Sequence, residues 1–157
     1  MEKLFIERKS GDNKYLHRDF FVSGDIGITY VGKHYGDDGV KEYLRGYARS
    51  FYQPLAASVI KEGFKALQNY FTDIFEKEEM PEVLHTSLSD NALGIKIDKC
   101  PAVTFMRKSG HTPSEWYKET TYTVYGELAA MCGLDFEVKY YNEEDGSTEF
   151  TFLRRQI

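Results

Sequence analysis

The sequence predicts an α+β fold: N-terminal helices, a β-hairpin, two helices and a C-terminal β-hairpin. The two hairpins are expected to form one antiparallel four-stranded sheet with helices on a single face. Three observations carry this. Apolar residues recur at helical spacing through the first half, the period falls to two over residues 82–98 and 135–153, and strand–helix–strand alternation is absent.

In chain order, Phe20, Phe21, Ile26, Tyr30 and Val31 mark a first helix, weakened by Gly24 and Gly27 and stopped at Gly36. Asp38 is placed to cap a second helix whose apolar face is Val40, Tyr43, Leu44, Tyr47 and Phe51. Pro54 opens a third, carried by Leu55, Val59, Ile60, Phe64, Leu67, Phe71, Ile74 and Phe75, with a bend or break expected at Gly63. Residues 82–88 and 93–98 flank Ser89-Asp90-Asn91 as a hairpin. Pro101 opens a short helix running to Gly110. Pro113 opens another, with Trp116, Tyr117, Thr120, Val124, Leu128 and Met131 on its apolar face and Gly133 at its end. Residues 135–141 and 148–153 around Glu144-Asp145-Gly146 give the strongest hairpin signal.

The chain of 157 residues reads as a single domain, 1–157, with no repeat or low-complexity linker. Its 20 Lys+Arg against 25 Asp+Glu give a formal charge of -5, which argues against a nucleic-acid partner. No apolar run approaches the ~18 residues of a membrane span, and residues 1–9 lack the apolar centre of a signal peptide. Two distant cysteines suit a reducing, cytoplasmic setting.

Cys100 stands just before Pro101, at a helix N-cap, where free N–H groups and the helix dipole favour thiolate. It is therefore the expected nucleophile or metal ligand, whereas Cys132 closes a helix at the unfavourable end. The plainer reading is two small buried hydrophobes. No histidine pair has metal-site spacing. His17-Arg18-Asp19 is the densest polar cluster: a base or ligand (His17), an anion clamp (Arg18) and an orienting carboxylate (Asp19), or simply a helix cap with solvated neighbours. His111, in a loop close in sequence to Cys100, is a further candidate ligand. Gly24, Gly27, Gly32 and Gly36 do not make a phosphate loop, because no strand precedes them and Gly32-Lys33-His34 lacks the required Ser or Thr.

The 12 Tyr and 11 Phe are the most unusual bulk property. Most belong in a core, but many hydroxyl-bearing rings on apolar faces suit a cavity holding a small, partly polar ligand. Tyr43, Tyr47, Trp116 and Tyr125 are the expected wall, with Arg45 or His17 at its polar end.

His17-Arg18-Asp19-Phe20, His34-Tyr35-Gly36 followed by Tyr43-Leu44-Arg45, and Phe51-Tyr52-Gln53-Pro54-Leu55 together carry a resemblance. Cys100-Pro101-Ala102-Val103, Glu119-Thr120-Thr121 and Phe152-Leu153-Arg154-Arg155 extend it. These segments resemble the L-2-amino-thiazoline-4-carboxylic acid hydrolase-like family over most of the chain. The element order is also similar to vinyl-reductase-type and TRAPP-like ligand-binding domains. The hydrolase resemblance implies opening of a thiazoline ring at a non-peptide C–N bond. It gives Cys100, His17 and Asp19 the catalytic or metal-holding role, with a divalent metal as the cofactor such chemistry could use, and gives Arg45 the substrate carboxylate. The second resemblance implies a small-molecule sensor without chemistry. A blander alternative is an interaction protein that forms a homodimer through its helices.

Overall fold

The computed structural model describes the backbone of residues 13–156, with the side chains of Arg18 and of residues 20–156. Helix α1 (Asn13–Phe51) is bent at Gly36, which has φ 69°, so the two expected N-terminal helices run on as one kinked element. The expected third helix is two, α2 (Gln53–Glu62) and α3 (Phe64–Lys77). The break falls at Gly63, whose φ of 75° a side-chain-bearing residue rarely adopts. A 3-10 turn (Pro81–Val83) leads into the hairpin β1 (Leu84–Leu88) and β2 (Ala92–Ile97). Helix α4 (Pro101–Lys108) follows, then α5 (Glu119–Met131) and the hairpin β3 (Leu134–Tyr141) and β4 (Thr148–Arg154).

One correction concerns α5. Residues 113–114 have no regular structure and 115–118 form turns, not the first helical turn, so Trp116 and Tyr117 precede the helix. The expectation followed the apolar spacing. What overrides it is tertiary tethering of this segment to α1, described below.

The hairpins join in one antiparallel sheet of order β1-β2-β4-β3. Register sets the faces: Leu93 opposes Phe152, Ile95 opposes Phe150, and Phe136 and Val138 continue the row on β3. Leu93, Ile95, Phe150 and Phe152 are at most 1% exposed. Phe71 of α3 and Tyr125 of α5 close on that face, with ring centroids 5.8 and 5.3 Å from Phe150. Each fully buried aliphatic or phenyl side chain contributes about 1.5–3 kcal/mol, so this layer dominates the stability of the sheet–helix contact. The alternate residues, Gly94, Lys96, Glu149 and Thr151, lie on the opposite face. A register shift at Lys139 interrupts the β3–β4 ladder.

Candidate functional site

The second half of α1 and helix α5 lie side by side, and an open cleft of about 430 Å³ runs between them. Lys41 and Arg45, one helical turn apart, supply its cationic wall; Glu119, Thr123 and Glu127 face them from α5. Thr123 Oγ1 donates to Glu119 at 2.5 Å and fixes that carboxylate on its own helix. Glu127 is engaged by Arg49 Nε at 2.7 Å, leaving Arg45 and Lys41 as the cations directed at the cleft. Tyr122 and Gly126 are shared with a second open cleft of about 440 Å³, which Asp135, Phe136, Val138 and Arg155 complete.

A second polar cluster lies on the first half of α1. Asp25 is 1% exposed, yet its carboxylate is fully engaged. His111 Nε2 donates to Oδ2 at 2.7 Å, the Ser114 N–H to Oδ2 at 2.9 Å and the Ser114 hydroxyl to Oδ1 at 2.7 Å. Two turns along α1 the Trp116 ring lies on Gly32, where a Cβ would come within 2.5 Å of it. Trp116 Nε1 then donates to Asp37 at 2.7 Å. Residues 111–118 are thus a strap fastened to α1 at Asp25, Gly32 and Asp37.

Cys100 is the N-cap of α4, as expected, but its thiol is not activated. Burial raises its pKa, and the nearby Glu78 and Asp145 charges add to the rise; the N–H groups of Val103 and Ala102 pull the other way and lose. The β3–β4 turn seals this helix end. Cys100 N–H donates to Asp145 O at 2.9 Å, and Gly146 rests against the Cys100 side chain so closely that a Cβ there would clash. Burial likewise raises the pKa of Cys132, to about 11. The expected low-pKa Cys100 is therefore corrected: the dipole has the predicted sign, and desolvation exceeds it.

The other sequence-derived residues do not converge on one cavity. Tyr43 and Tyr47 stand on an outer flank of α1, 51% and 45% exposed, with Tyr47 stacked on Phe51. Tyr125 is partly buried and packs against the core at Phe71, and Trp116 belongs to the strap. The Tyr70 hydroxyl donates to the Tyr52 hydroxyl at 3.0 Å. Of the expected ligand contacts, Arg45 lines the α1–α5 cleft described above, and Tyr43, Tyr47, Trp116 and Tyr125 are not part of its wall. Arg18 is an ion-pair partner of Glu78 and Glu79, at 3.5 and 3.7 Å. His17 and Asp19 fall on α1, and their side chains lie outside the described residues.

The described donors do not suit a metal. Burial raises the Cys100 pKa, which disfavours the thiolate a metal needs, and no group of three or more His, Cys, Asp or Glu gathers among the described residues. Asp25, Ser114, Lys41 and Glu127 were not legible as site residues. Lys41 and Arg45 at i, i+4 and Asp25 on the stripe Phe21–Ile28–Gly32 were the available signals.

Fold and cleft define an α+β protein with an open, cation-lined groove between two helices. No family model matches the chain, and no curated protein matches it. Among the described residues no helix is long and apolar enough to cross a membrane.

Proposed function

We propose that this protein is a small-molecule hydrolase acting on a non-peptide C–N bond of a small heterocyclic carboxylate of the thiazoline-carboxylate type, in the cytoplasm. The carrying observation is the cleft that sets Lys41 and Arg45 opposite Glu119. Two segments that carry the family resemblance, Tyr43-Leu44-Arg45 and Glu119-Thr120-Thr121, meet there although they are more than 70 residues apart in sequence.

The chemistry follows from the groups. Arg45 and Lys41 hold the substrate carboxylate by charge-assisted hydrogen bonds. Glu119, positioned by Thr123, takes a proton from water, which adds to the ring carbon between sulfur and nitrogen. The C–N bond then breaks and the departing nitrogen takes up the proton, so the substrate gains one water overall. Cys100 has no nucleophilic role in this scheme, consistent with its raised pKa.

The raised pKa of both cysteines also favours the second reading, a binding module without chemistry. Titration calorimetry with a thiazoline-4-carboxylate, followed by chromatography for the ring-opened product, separates the two. Arg45→Ala should abolish binding, and Glu119→Gln should retain binding but lose turnover. Binding by wild type without product leaves the module; undiminished binding by Arg45→Ala removes both readings.

A further inference from the structure

We propose that β1 pairs antiparallel with β1 of a second copy across a two-fold axis at Thr86, joining two four-stranded sheets into one of eight strands. β1 is an edge of the sheet, and from His85 to Leu88 it is exposed. Its ladder to β2 shows which backbone groups are free. Asp98 N–H donates to Val83 O and Ser89 N–H to Ala92 O, both at 2.9 Å. In the alternating antiparallel pattern Val83, His85, Ser87 and Ser89 therefore face β2, and Leu84, Thr86 and Leu88 turn their N–H and C=O groups outward. Among the described residues, the Leu84 N–H is the one group of this set already engaged, by Pro81 O.

Those outward groups are self-complementary. With the axis at Thr86, Thr86 opposes its symmetry mate, Leu84 opposes Leu88 of the second copy, and His85 opposes Ser87. Every second residue then forms a hydrogen-bonded pair, which is the spacing the ladder requires. Thr86 exchanges two bonds with its mate, and each Leu88 N–H reaches the opposite Leu84 C=O, giving four in all. The Leu84–Leu88 pairs extend the apolar layer on the helix-covered face and bury Leu88, which is 45% exposed in the single chain.

The edge also lacks the usual guards against pairing. Leu84–Leu88 contains no Lys, Pro or Gly, and its ladder to β2 runs in unbroken register. The opposite edge, β3, carries Asp135, Glu137 and Lys139 and is interrupted by the register shift at Lys139. The closed two-fold arrangement uses one surface on both partners and leaves no free β1 edge.

Sedimentation velocity across a concentration series tests this, and a reversible, concentration-dependent monomer–dimer equilibrium is expected. Thr86→Lys places two ammonium groups directly across the axis and should leave a monomer with wild-type circular dichroism, at the cost of the Gln68 Nε2 bond to Thr86 Oγ1. Thr86→Pro removes the outward N–H without touching the ladder to β2, and should do the same if the lysine variant fails to fold. Thr86→Cys should crosslink under mild oxidation, because a hydrogen-bonded pair sets its Cα atoms about 5.5 Å apart, within disulfide reach. Ser87→Cys, which faces His85 of the second copy, should not crosslink. A wild-type chain that stays monomeric at about 1 mM overturns the proposal. So does a Thr86→Lys or Thr86→Pro variant that still dimerises, or a Ser87→Cys chain that crosslinks as fast as Thr86→Cys.

Discussion

Replacing Asp25 tests whether the 111–118 strap is held by one buried carboxylate. The group is 1% exposed and accepts three hydrogen bonds, from His111 Nε2, Ser114 N–H and Ser114 Oγ. Asp25→Ala removes the acceptor for all three donors and opens a void beneath them. Each unsatisfied buried donor costs about 1–3 kcal/mol, and the Ser114 hydroxyl can rotate toward another acceptor, so the expected loss is about 3–5 kcal/mol. Asp25→Asn keeps the shape. Its amide oxygen at the Oδ2 position accepts from His111 and Ser114 N–H, while its NH2 donates to a rotated Ser114 hydroxyl. Only charge assistance is lost, about 1–2 kcal/mol. Urea titration read by circular dichroism gives the global value. Fluorescence of Trp116, the chain's single tryptophan, reports the strap itself. An Asp25→Ala cost below about 1 kcal/mol, or an Asn variant as damaging as Ala, would refute the argument that satisfied hydrogen bonds hold the strap.

Three other perturbations follow from the same structure. Gly32→Ala drives a methyl into the Trp116 ring and should cost about 1–3 kcal/mol with a shifted emission maximum, whereas an unchanged spectrum and stability would show that the ring is not seated there. With its pKa near 11, Cys132 should alkylate at pH 8 about two orders of magnitude more slowly than an unperturbed thiol, and Cys100 should be slow as well; denaturation should restore ordinary rates for both, and a fast native Cys100 would reinstate an activated thiolate. His85, bonded to Asp98 at 2.6 Å, holds that carboxyl below its usual value, with Lys96 assisting. A depressed folded-state pKa gives stabilisation that is present above the unfolded value of about 3.9 and is lost as pH falls through the folded one, so the effect belongs to acid solution. Carboxyl NMR titration should show the Asp98 midpoint rising in His85→Ala, and an unmoved midpoint contradicts the pairing.

What was legible in the sequence divides by the distance over which each feature is decided. The periods of α1 to α5 and the two hairpins are local, set by side chains three to four or two residues apart, and the chain folds as they predict. The kink at Gly36 and the break at Gly63 are local too, since a positive φ is a property of one residue. Residues 113–118 show the limit. Their apolar spacing continues that of α5, but their conformation answers to Asp25, Gly32 and Asp37, 79 to 89 positions away. No window of the sequence contains that tether. The tyrosines fail for a related reason: spacing places Tyr43, Tyr47 and Tyr125 on apolar faces, but which faces meet is a matter of helix packing. Tyr125 meets the sheet while Tyr43 and Tyr47 meet solvent.

Cys100 is the most instructive case, because its position is read correctly and its chemistry is not. Cys-Pro at a helix start places the thiol where the α4 N–H groups lower its pKa, and they do. The opposing effect comes from the β3–β4 turn, where Asp145 O accepts the Cys100 N–H and Gly146 closes over the side chain, some 45 residues along the chain. A dipole at a helix terminus is worth about 0.3–1 kcal/mol, and the desolvation of the Cys100 thiol outweighs it. The sign of the outcome is therefore set by what covers the helix end. The same contrast supports the proposed site, because Lys41 and Arg45 line an open cleft between α1 and α5, where the proposed anionic ligand would reach both.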